Sequence, residues 1–98
     1  MIRVIIERKI KNGCLDKYLE LIRRARKQAN TVEGFIAGEL LQEKDNSHHA
    51  IIISSWENHQ AWDAWAVSEE RLAALEGMRS LLASDETVTI LENSNILV

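Results

Sequence analysis

The chain has 98 residues, of which 46% are hydrophobic and 28% are charged, and its formal net charge is −3. This composition excludes a disordered chain and predicts one globular domain over residues 1–98. The negative charge argues against a sequence-independent nucleic-acid binder, which needs a basic face to neutralise phosphates.

The first half of the chain predicts a strand, a helix and a second strand. Apolar residues alternate over residues 2–10, as in a strand with one apolar face. The Asn12-Gly13 pair ends this strand, and apolar residues then recur at helical spacing over about residues 14–30. Gly34 separates that helix from the second strand, residues 35–44.

The second half of the chain predicts a hairpin, more helix and a last strand. Turn-forming residues 45–47 join the second strand to a third, residues 48–56, as antiparallel neighbours. Asn58 is the predicted N-cap of the second helix, and Ser68 is the predicted N-cap of a further helical segment that reaches Leu82. Residues 86–91 alternate again and form the last strand.

The order strand, helix, strand, strand, helix, strand predicts an α+β protein with the ferredoxin-like βαββαβ fold, a four-stranded antiparallel sheet with helices on one face. Both sheet faces carry apolar residues. The strand phases predict two sets of apolar residues, one for each face. The first set is Val4, Ile6, Phe35, Leu41, Ile52 and Trp56, and the second, opposite in phase, is Ile5, Ile36, Leu40, Ile51, Ile53 and Leu91. Because an exposed apolar sheet face is a liability for a monomer, we expect a homodimer that packs sheet against sheet.

Membrane and redox features of the sequence are consistent with one another. No apolar run approaches the length of a membrane span, and residues 1–7 are too few and too charged for a signal peptide. The one cysteine, Cys14, cannot form an internal disulfide. We therefore expect a cytoplasmic protein with no membrane partner.

All three tryptophans lie in one short stretch. Trp56 closes the third strand, while Trp62 and Trp65 are three residues apart and share one helix face. Two interpretations stay open: the indoles are the main anchor of the core, or at least Trp65 lines a ligand pocket.

The stretch from Trp56 to Glu69, together with Val32-Glu33-Gly34-Phe35, resembles the antibiotic biosynthesis monooxygenase domain family. The resemblance implies a dimeric α+β barrel with a pocket between sheet and helices. Some members are cofactor-independent oxygenases of polycyclic aromatic compounds, some degrade heme, and many have no known activity.

The heme-degrading branch of that family is similar around Trp65 and differs elsewhere. Leu75 stands where that branch has an iron-ligating histidine, and Ile6 stands where it has an asparagine when the Gly13 turns are matched. Leucine cannot coordinate iron, so the sequence argues against heme degradation by that route.

Cofactor-free oxygenation needs a bound ring, exclusion of water, and a base or hydrogen-bond donor. His48 and His49 point to opposite sheet faces, and with His59 they make a poor metal constellation, so we expect no metal and no cofactor. His48 is the candidate base because it shares the phase of Trp56. Tyr18 and Arg79 join Trp56 and Trp65 as candidate substrate-binding residues, although the neighbours of Tyr18 also indicate core.

The sequence thus predicts a small dimeric oxygenase that acts without flavin or metal on an aromatic or quinol-type molecule. The alternative is a non-catalytic binding or regulatory module of the same fold. The two differ in whether a bound ligand is turned over.

Overall fold

Seven regular elements make up the computed structural model, which describes residues 1–98. They are β1 (Ile2–Lys9), α1 (Leu15–Ala29), β2 (Phe35–Glu43), β3 (Asn46–Trp56), α2 (His59–Ala66), α3 (Glu69–Arg79) and β4 (Thr87–Glu92). The predicted element order is confirmed, with boundaries that differ by one to a few residues.

The four strands form one antiparallel sheet in the order β2-β3-β1-β4. β1 and β3 are the central strands, and their register pairs Val4 with Ser54 and Ile6 with Ile52. This order is that of the ferredoxin-like fold, so the predicted fold class is confirmed. We call the sheet face that carries Val4 and Ile52 the inner face and the opposite one the outer face.

Side-chain caps fix the starts of the two helices that follow β3. The Asn58 side chain accepts a hydrogen bond from the Ala61 amide at 2.9 Å, and Ser68 accepts one from the Arg71 amide at 3.2 Å. Both predicted N-caps are confirmed, and each satisfies an amide that the first turn leaves without an intrahelical partner. No helix is long and apolar enough to cross a membrane.

The last helix is shorter than its sequence pattern predicts. α3 ends at Arg79, and Leu82 lies beyond it in an isolated bridge with Ile10. Leu72 is half exposed, because the inward face of α3 passes through Arg71, Leu75 and Met78 instead.

A β-bulge in β2 corrects the predicted phase of that strand. Phe35 pairs with Trp56, but Ala37 pairs with Ser55, so one extra residue is inserted between the two pairs. Beyond the bulge Leu40 faces inward and pairs with Ile52, while Leu41 faces outward. The sequence prediction, which assumed unbroken alternation, had these two leucines on the wrong faces.

The inner face and the helices enclose two hydrophobic clusters. The first contains Ile2, Val4, Ile6, Trp56, Trp62 and Trp65, and the second contains Ile10, Tyr18, Ala50 and Met78. Arg8 lies on β1 between Ile6 and Ile10, so a buried charge separates the two clusters. The helices do not cover β4, where Val88 and Ile90 remain about 40% exposed.

Gly34 joins α1 to β2 where no other residue fits. Its φ is +86°, and a Cβ at this position would overlap the Cβ of Ala61 in α2. Gly13 has a similar φ of +81°, but open space surrounds the position of its missing Cβ. The two glycines therefore share the backbone requirement and differ in packing.

We expect Gly34→Ala to destabilise the protein by about 1–3 kcal/mol more than Gly13→Ala, because only Gly34→Ala adds a steric overlap to the cost of a left-handed backbone. Urea unfolding of both variants measures the difference. Equal losses of stability would show that α2 moves away from Gly34 without penalty.

Candidate functional site

A cavity of about 250 Å³ lies between the inner face and the helices. Its sheet side is formed by residues of β1, β2 and β3 such as Ile6, Leu40 and Ile52, and its helix side includes Leu19 and Met78. Fourteen of its 21 lining residues are hydrophobic. An apolar cavity with a few polar groups is the usual form of a small-molecule site.

Aromatic rings form one end of the cavity. Trp56 is 1% exposed and makes edge-to-face contacts with Phe35 and Trp62, at centroid distances of 5.2 and 5.6 Å. Its indole Nε1 donates a hydrogen bond to Ser54 Oγ at 3.0 Å. Trp65, which is 8% exposed, also lines the cavity. The indoles thus belong both to the core and to the cavity wall, so the two interpretations of the sequence are compatible.

Arg8, Arg71 and Glu86, which we call the arginine cluster, lie beside the hydrophobic clusters. Arg8 Nε and Nη2 both donate to Glu86 Oε2, at 2.9 and 2.8 Å. Arg71 Nη2 donates to the other oxygen, Oε1, at 3.0 Å. The arginine side chains are 5% and 11% exposed and that of Glu86 is 15% exposed. Charge-assisted hydrogen bonds of this kind are what makes buried charges tolerable.

Tyr18 extends the arginine cluster on the side of α1. Its hydroxyl accepts a hydrogen bond from Arg8 Nη1 at 3.1 Å, and the side chain is completely buried. Burial raises the pKa of the Tyr18 hydroxyl, and the neighbouring Arg8 guanidinium partly offsets that rise. Tyr18 touches Arg8 and does not itself line the cavity, so its predicted role in substrate binding remains a prediction without direct support from the cavity's geometry.

The ionised groups that line the cavity are mostly positive. Arg8 and Arg71 lie inside it, and Arg23 and Arg26 of α1 are exposed beside it. The one acidic lining residue, Glu39, pairs with Ile53, so its side chain points to the outer face. This local excess of positive charge contrasts with the net charge of −3 for the whole chain. Such a distribution attracts anions towards the cavity.

The structure places two of the predicted site residues away from the cavity. His48 borders a separate polar groove formed with Lys9, Asn12 and Asn46, and no histidine lines the cavity. Arg79 is 71% exposed and pairs with Glu76 on the surface of α3. Their predicted roles therefore remain predictions without support from the cavity's geometry.

His49 faces outward, as its phase predicts, and lies between two carboxylates. Its Nδ1 is 3.0 Å from Glu43 Oε1, and its Nε2 is close to Glu7 Oε1. Hydrogen bonding to Glu43, followed by that to Glu7, raises the pKa of His49 because both carboxylates favour the imidazolium.

We expect the stabilising effect of His49 to depend on pH. A histidine whose pKa is raised on folding contributes stability that is fully present below its unfolded pKa, about 6.5, and is lost as the pH rises through the folded value. The stability difference between the wild type and His49→Gln should therefore be larger at about pH 5.5 than at about pH 8.5. Urea unfolding at the two pH values tests this, and a difference that does not change with pH would contradict it.

The arginine cluster was not predicted from the sequence, although two of its members left a signal. Arg8 occupies the inward phase of β1, between Ile6 and Ile10, where a charged residue is unexpected. Arg71 precedes Leu75 and Met78 at helical spacing and so lies on the inward face of α3. Glu86 left no local signal, because it is 78 residues from Arg8 in sequence.

The fold and the cavity define a small ferredoxin-like α+β domain with an arginine-bearing, aromatic-walled cavity between its sheet and its helices. The sequence pattern of the antibiotic biosynthesis monooxygenase family matches residues 1–77. The chain therefore belongs to that family, as the resemblance implied.

Two curated Streptomyces proteins are similar to this chain. Protein SchA of Streptomyces halstedii is 32% identical over 71 residues, which are 72% of this chain and 19% of SchA. The 42.8 kDa protein in the whiE locus of Streptomyces coelicolor is 27% identical over 75 residues, which are 76% of this chain and 19% of that protein. The chain thus spans about a fifth of the length of these relatives.

Solved structures support the fold. A variant of SnoaB, a cofactor-independent oxygenase from Streptomyces nogalater, superimposes with a TM-score of 0.87 at 17% identity and covers 98% of this chain and 95% of its own. At this identity the similarity establishes the architecture of the chain and not its reaction.

Proposed function

We propose that this protein is a cofactor-independent monooxygenase of a small, electron-rich aromatic phenol or quinol. The observation that carries the proposal is the cavity of about 250 Å³ walled by Trp56, Trp62 and Trp65 in a member of this family. An apolar cavity of ~150 Å³ accommodates benzene. The larger volume here is suited to a fused pair of rings that packs against the indoles.

The proposed reaction draws all its electrons from the substrate. The phenol ionises and its proton leaves to solvent, and the phenolate then passes one electron to O2, which gives a phenoxyl radical and superoxide. The two combine in a C–O bond, and the peroxide takes up a proton. Cleavage of the O–O bond, with loss of the hydrogen on the oxygenated carbon, releases water and leaves a quinone carbonyl. One O2 thus supplies one carbonyl oxygen and one water.

The residues of the chain would act on the first part of this sequence. The apolar lining excludes water from the ring, and the indoles hold the ring in place. The excess of positive charge around the cavity, to which Arg23 and Arg26 contribute together with the arginine cluster, favours the ionised phenol over the neutral one, because an opposite charge nearby lowers the pKa of an acid. This role requires no histidine base in the cavity.

The second candidate function is a non-catalytic binding module. The absence of histidine from the lining and the outward direction of the Glu39 side chain favour this alternative, since neither residue type supplies a buried base. A module of this type would bind the same flat ligand and release it unchanged.

Oxygen uptake with a panel of naphthols and naphthoquinols separates the two candidates. We expect uptake that survives dialysis against a chelator and falls about tenfold or more in Trp65→Ala, because the ring loses a stacking surface. Trp65→Phe, which keeps an aromatic ring, should retain more activity. Leu72→Ala is the control, since Leu72 is half exposed and outside the cavity. Tight binding without uptake would establish the module instead.

We expect this protein not to degrade heme through an iron ligand at position 75. Leu75 lines the cavity, and its side chain has no donor atom for iron. Titration of the protein with hemin tests this point. A Soret shift that reports ligation of the iron by a protein side chain would reveal another iron ligand and would contradict our interpretation.

We also propose that two copies pack through their outer faces. Ile5, Ile51 and Ile53 lie there, and Leu41 and Leu91 are 44% and 46% exposed in the single chain. A group of exposed and half-buried apolar residues on one sheet face is characteristic of an interface.

We expect light scattering at micromolar concentration to give about twice the chain mass of 11.2 kDa. Ile53→Glu should give the monomer mass, because a charge would be buried without a partner at the interface. Val67→Glu is the control, because Val67 is 74% exposed at the end of α2, on the helix side of the sheet. A monomer mass for the wild type would refute the proposed dimer.

A further inference from the structure

The arginine cluster contains two positive charges and one negative charge, so one positive charge has no counter-charge. Two guanidinium groups share the single carboxylate of Glu86, and these are the only ion pairs that Arg8 and Arg71 make. Burial of an uncompensated charge is costly, so a cluster of this composition is most stable when an anion joins it.

Two nitrogen atoms of Arg71 are free to donate hydrogen bonds to the anion. Arg8 uses Nε and Nη2 on Glu86 and Nη1 on Tyr18. Arg71 uses Nη2 on Glu86, and its Nε and Nη1 have no acceptor within the protein. No buried side-chain nitrogen or oxygen lacks a partner, so these two atoms are accessible rather than sealed in the core.

Arg71 is also held in a fixed position beside the aromatic wall. Its guanidinium carbon lies 5.3 Å from the centroid of the Trp62 ring, and Glu86 fixes its Nη2. Because Arg71 lines the cavity that Trp65 also lines, a ligand can contact the guanidinium with one end and an indole with the other. Planar guanidinium groups bind carboxylates with particular strength.

We propose that Arg71 binds the carboxylate of an aromatic acid, with Arg8 and Glu86 acting as positioning residues behind it. This inference rests on the proposed function, since it names the substrate class of the same cavity. Arg23 and Arg26 line the cavity too and add to the field that draws an anion inward.

Ligand binding without oxygen tests the proposal independently of any reaction. Under argon at pH 7, tryptophan fluorescence is titrated with 1-naphthoate, its neutral isostere 1-naphthamide, and 1-naphthol, which is uncharged at this pH as phenols of ordinary pKa are. We expect 1-naphthoate to bind about 10–100-fold more tightly than 1-naphthamide, as charge-assisted hydrogen bonds imply. Equal affinities of these two ligands would overturn the proposal.

Variants then assign the effect to Arg71. Arg71→Gln should lose about the same 10–100-fold for 1-naphthoate and little for 1-naphthamide. Arg71→Lys keeps the positive charge and should retain part of the preference, which protects the test if the glutamine variant is unstable. Arg24→Gln is the matched control, because Arg24 is 67% exposed and pairs with Glu20 on the outside of α1. An unchanged preference in both Arg71 variants would overturn the assignment.

The outcomes separate this inference from the proposed function. Preferential binding of 1-naphthoate through Arg71 with no oxygen uptake from any hydroxylated acid would support the inference and refute the oxygenase. Oxygen uptake with 1-naphthol in a protein that shows no preference for 1-naphthoate would support the oxygenase and refute the inference. If 1-naphthol binds more tightly than 1-naphthoate and loses that affinity in Arg71→Gln, the anion is the ionised phenol and the carboxylate assignment is wrong.

Discussion

Glu86→Gln is expected to lower the free energy of unfolding by about 3–5 kcal/mol, the usual cost of removing one partner from a buried ion pair. Glutamine has nearly the same shape as glutamate, so the change removes charge and little packing. It leaves Arg8 and Arg71, 5% and 11% exposed, without a counter-charge. Urea unfolding followed by circular dichroism measures the loss, because urea, unlike guanidinium, does not screen ion pairs.

Glu76→Gln is the matched control for this prediction. Glu76 pairs with Arg79 at 3.5 Å on the surface of α3, where its side chain is 76% exposed. Exposed pairs contribute at most about 1 kcal/mol, so this variant should be nearly as stable as the wild type. A Glu86→Gln protein that is equally stable would show that water reaches the arginine cluster freely.

A triple replacement separates charge from packing. Replacing Arg8, Arg71 and Glu86 together by methionine, methionine and leucine removes every charge while keeping much of the volume. Since buried ion pairs often exchange for apolar groups at little cost, the triple variant should be more stable than Glu86→Gln. It should also lose the preference for 1-naphthoate, because no cation remains to bind the carboxylate. A triple variant less stable than Glu86→Gln would assign the loss to packing.

Trp56→Ala is expected to destabilise the protein by about 3–5 kcal/mol, the range for large aromatic residues cut to alanine in a core. Trp56 ends β3, contacts Phe35 and Trp62 edge to face, and is 1% exposed. The truncation also removes the indole N–H that donates a hydrogen bond to Ser54 Oγ. Urea unfolding gives the value.

Trp56→Phe should cost less than Trp56→Ala, because it keeps a ring and loses the hydrogen bond and part of the buried area. Val67→Ala is the control, since Val67 is 74% exposed at the end of α2 and should change stability by less than about 0.5 kcal/mol. A loss below about 1 kcal/mol for Trp56→Ala would mean that the aromatic end of the cavity collapses to fill the gap.

The stability and function of the aromatic wall are therefore coupled. A variant at Trp56 changes the cavity and the core together, whereas Trp65, at the edge of the same cluster, is the better position for testing ligand contact. The arginine cluster is similar, because Glu86 supports the fold and also positions Arg71. Arg71 is therefore the better position for testing ligand binding, because its Nε and Nη1 have no acceptor within the protein.

Local sequence signals predicted the elements of this protein well. Alternation marked β1 and β4, the side chains of Asn58 and Ser68 marked the starts of α2 and α3, and Gly34 marked the turn before β2. These signals work because caps, turns and strand faces depend on residues within a few positions of one another. A cavity beside Trp56 and Trp65 was one of two interpretations that the residues left open, and the family resemblance implied it.

Signals of this kind failed where one residue changed the register. The bulge after Phe35 reversed the facing of Leu40 and Leu41, and its one signal in β2 is the nearby Gly38, since a glycine inside a strand often marks a bulge. His48 was the predicted base because it shares the phase of Trp56. Strand phase alone cannot say whether an inward residue reaches the cavity or lies past its end. Arg79 was a candidate by charge alone, and the surface of α3 holds it against Glu76.

The sequence by itself determined the order of the elements, the helix caps, the fold class and the apolar character of both sheet faces, because each depends on local spacing and chemistry. Only the tertiary structure decided which charges meet. Arg8, Arg71 and Glu86 come from β1, from α3 and from the segment just before β4, and only the folded sheet brings them together. The distance between these residues along the sequence does not reveal the contact. The charges pair because the fold places them in a shared interior of low polarity.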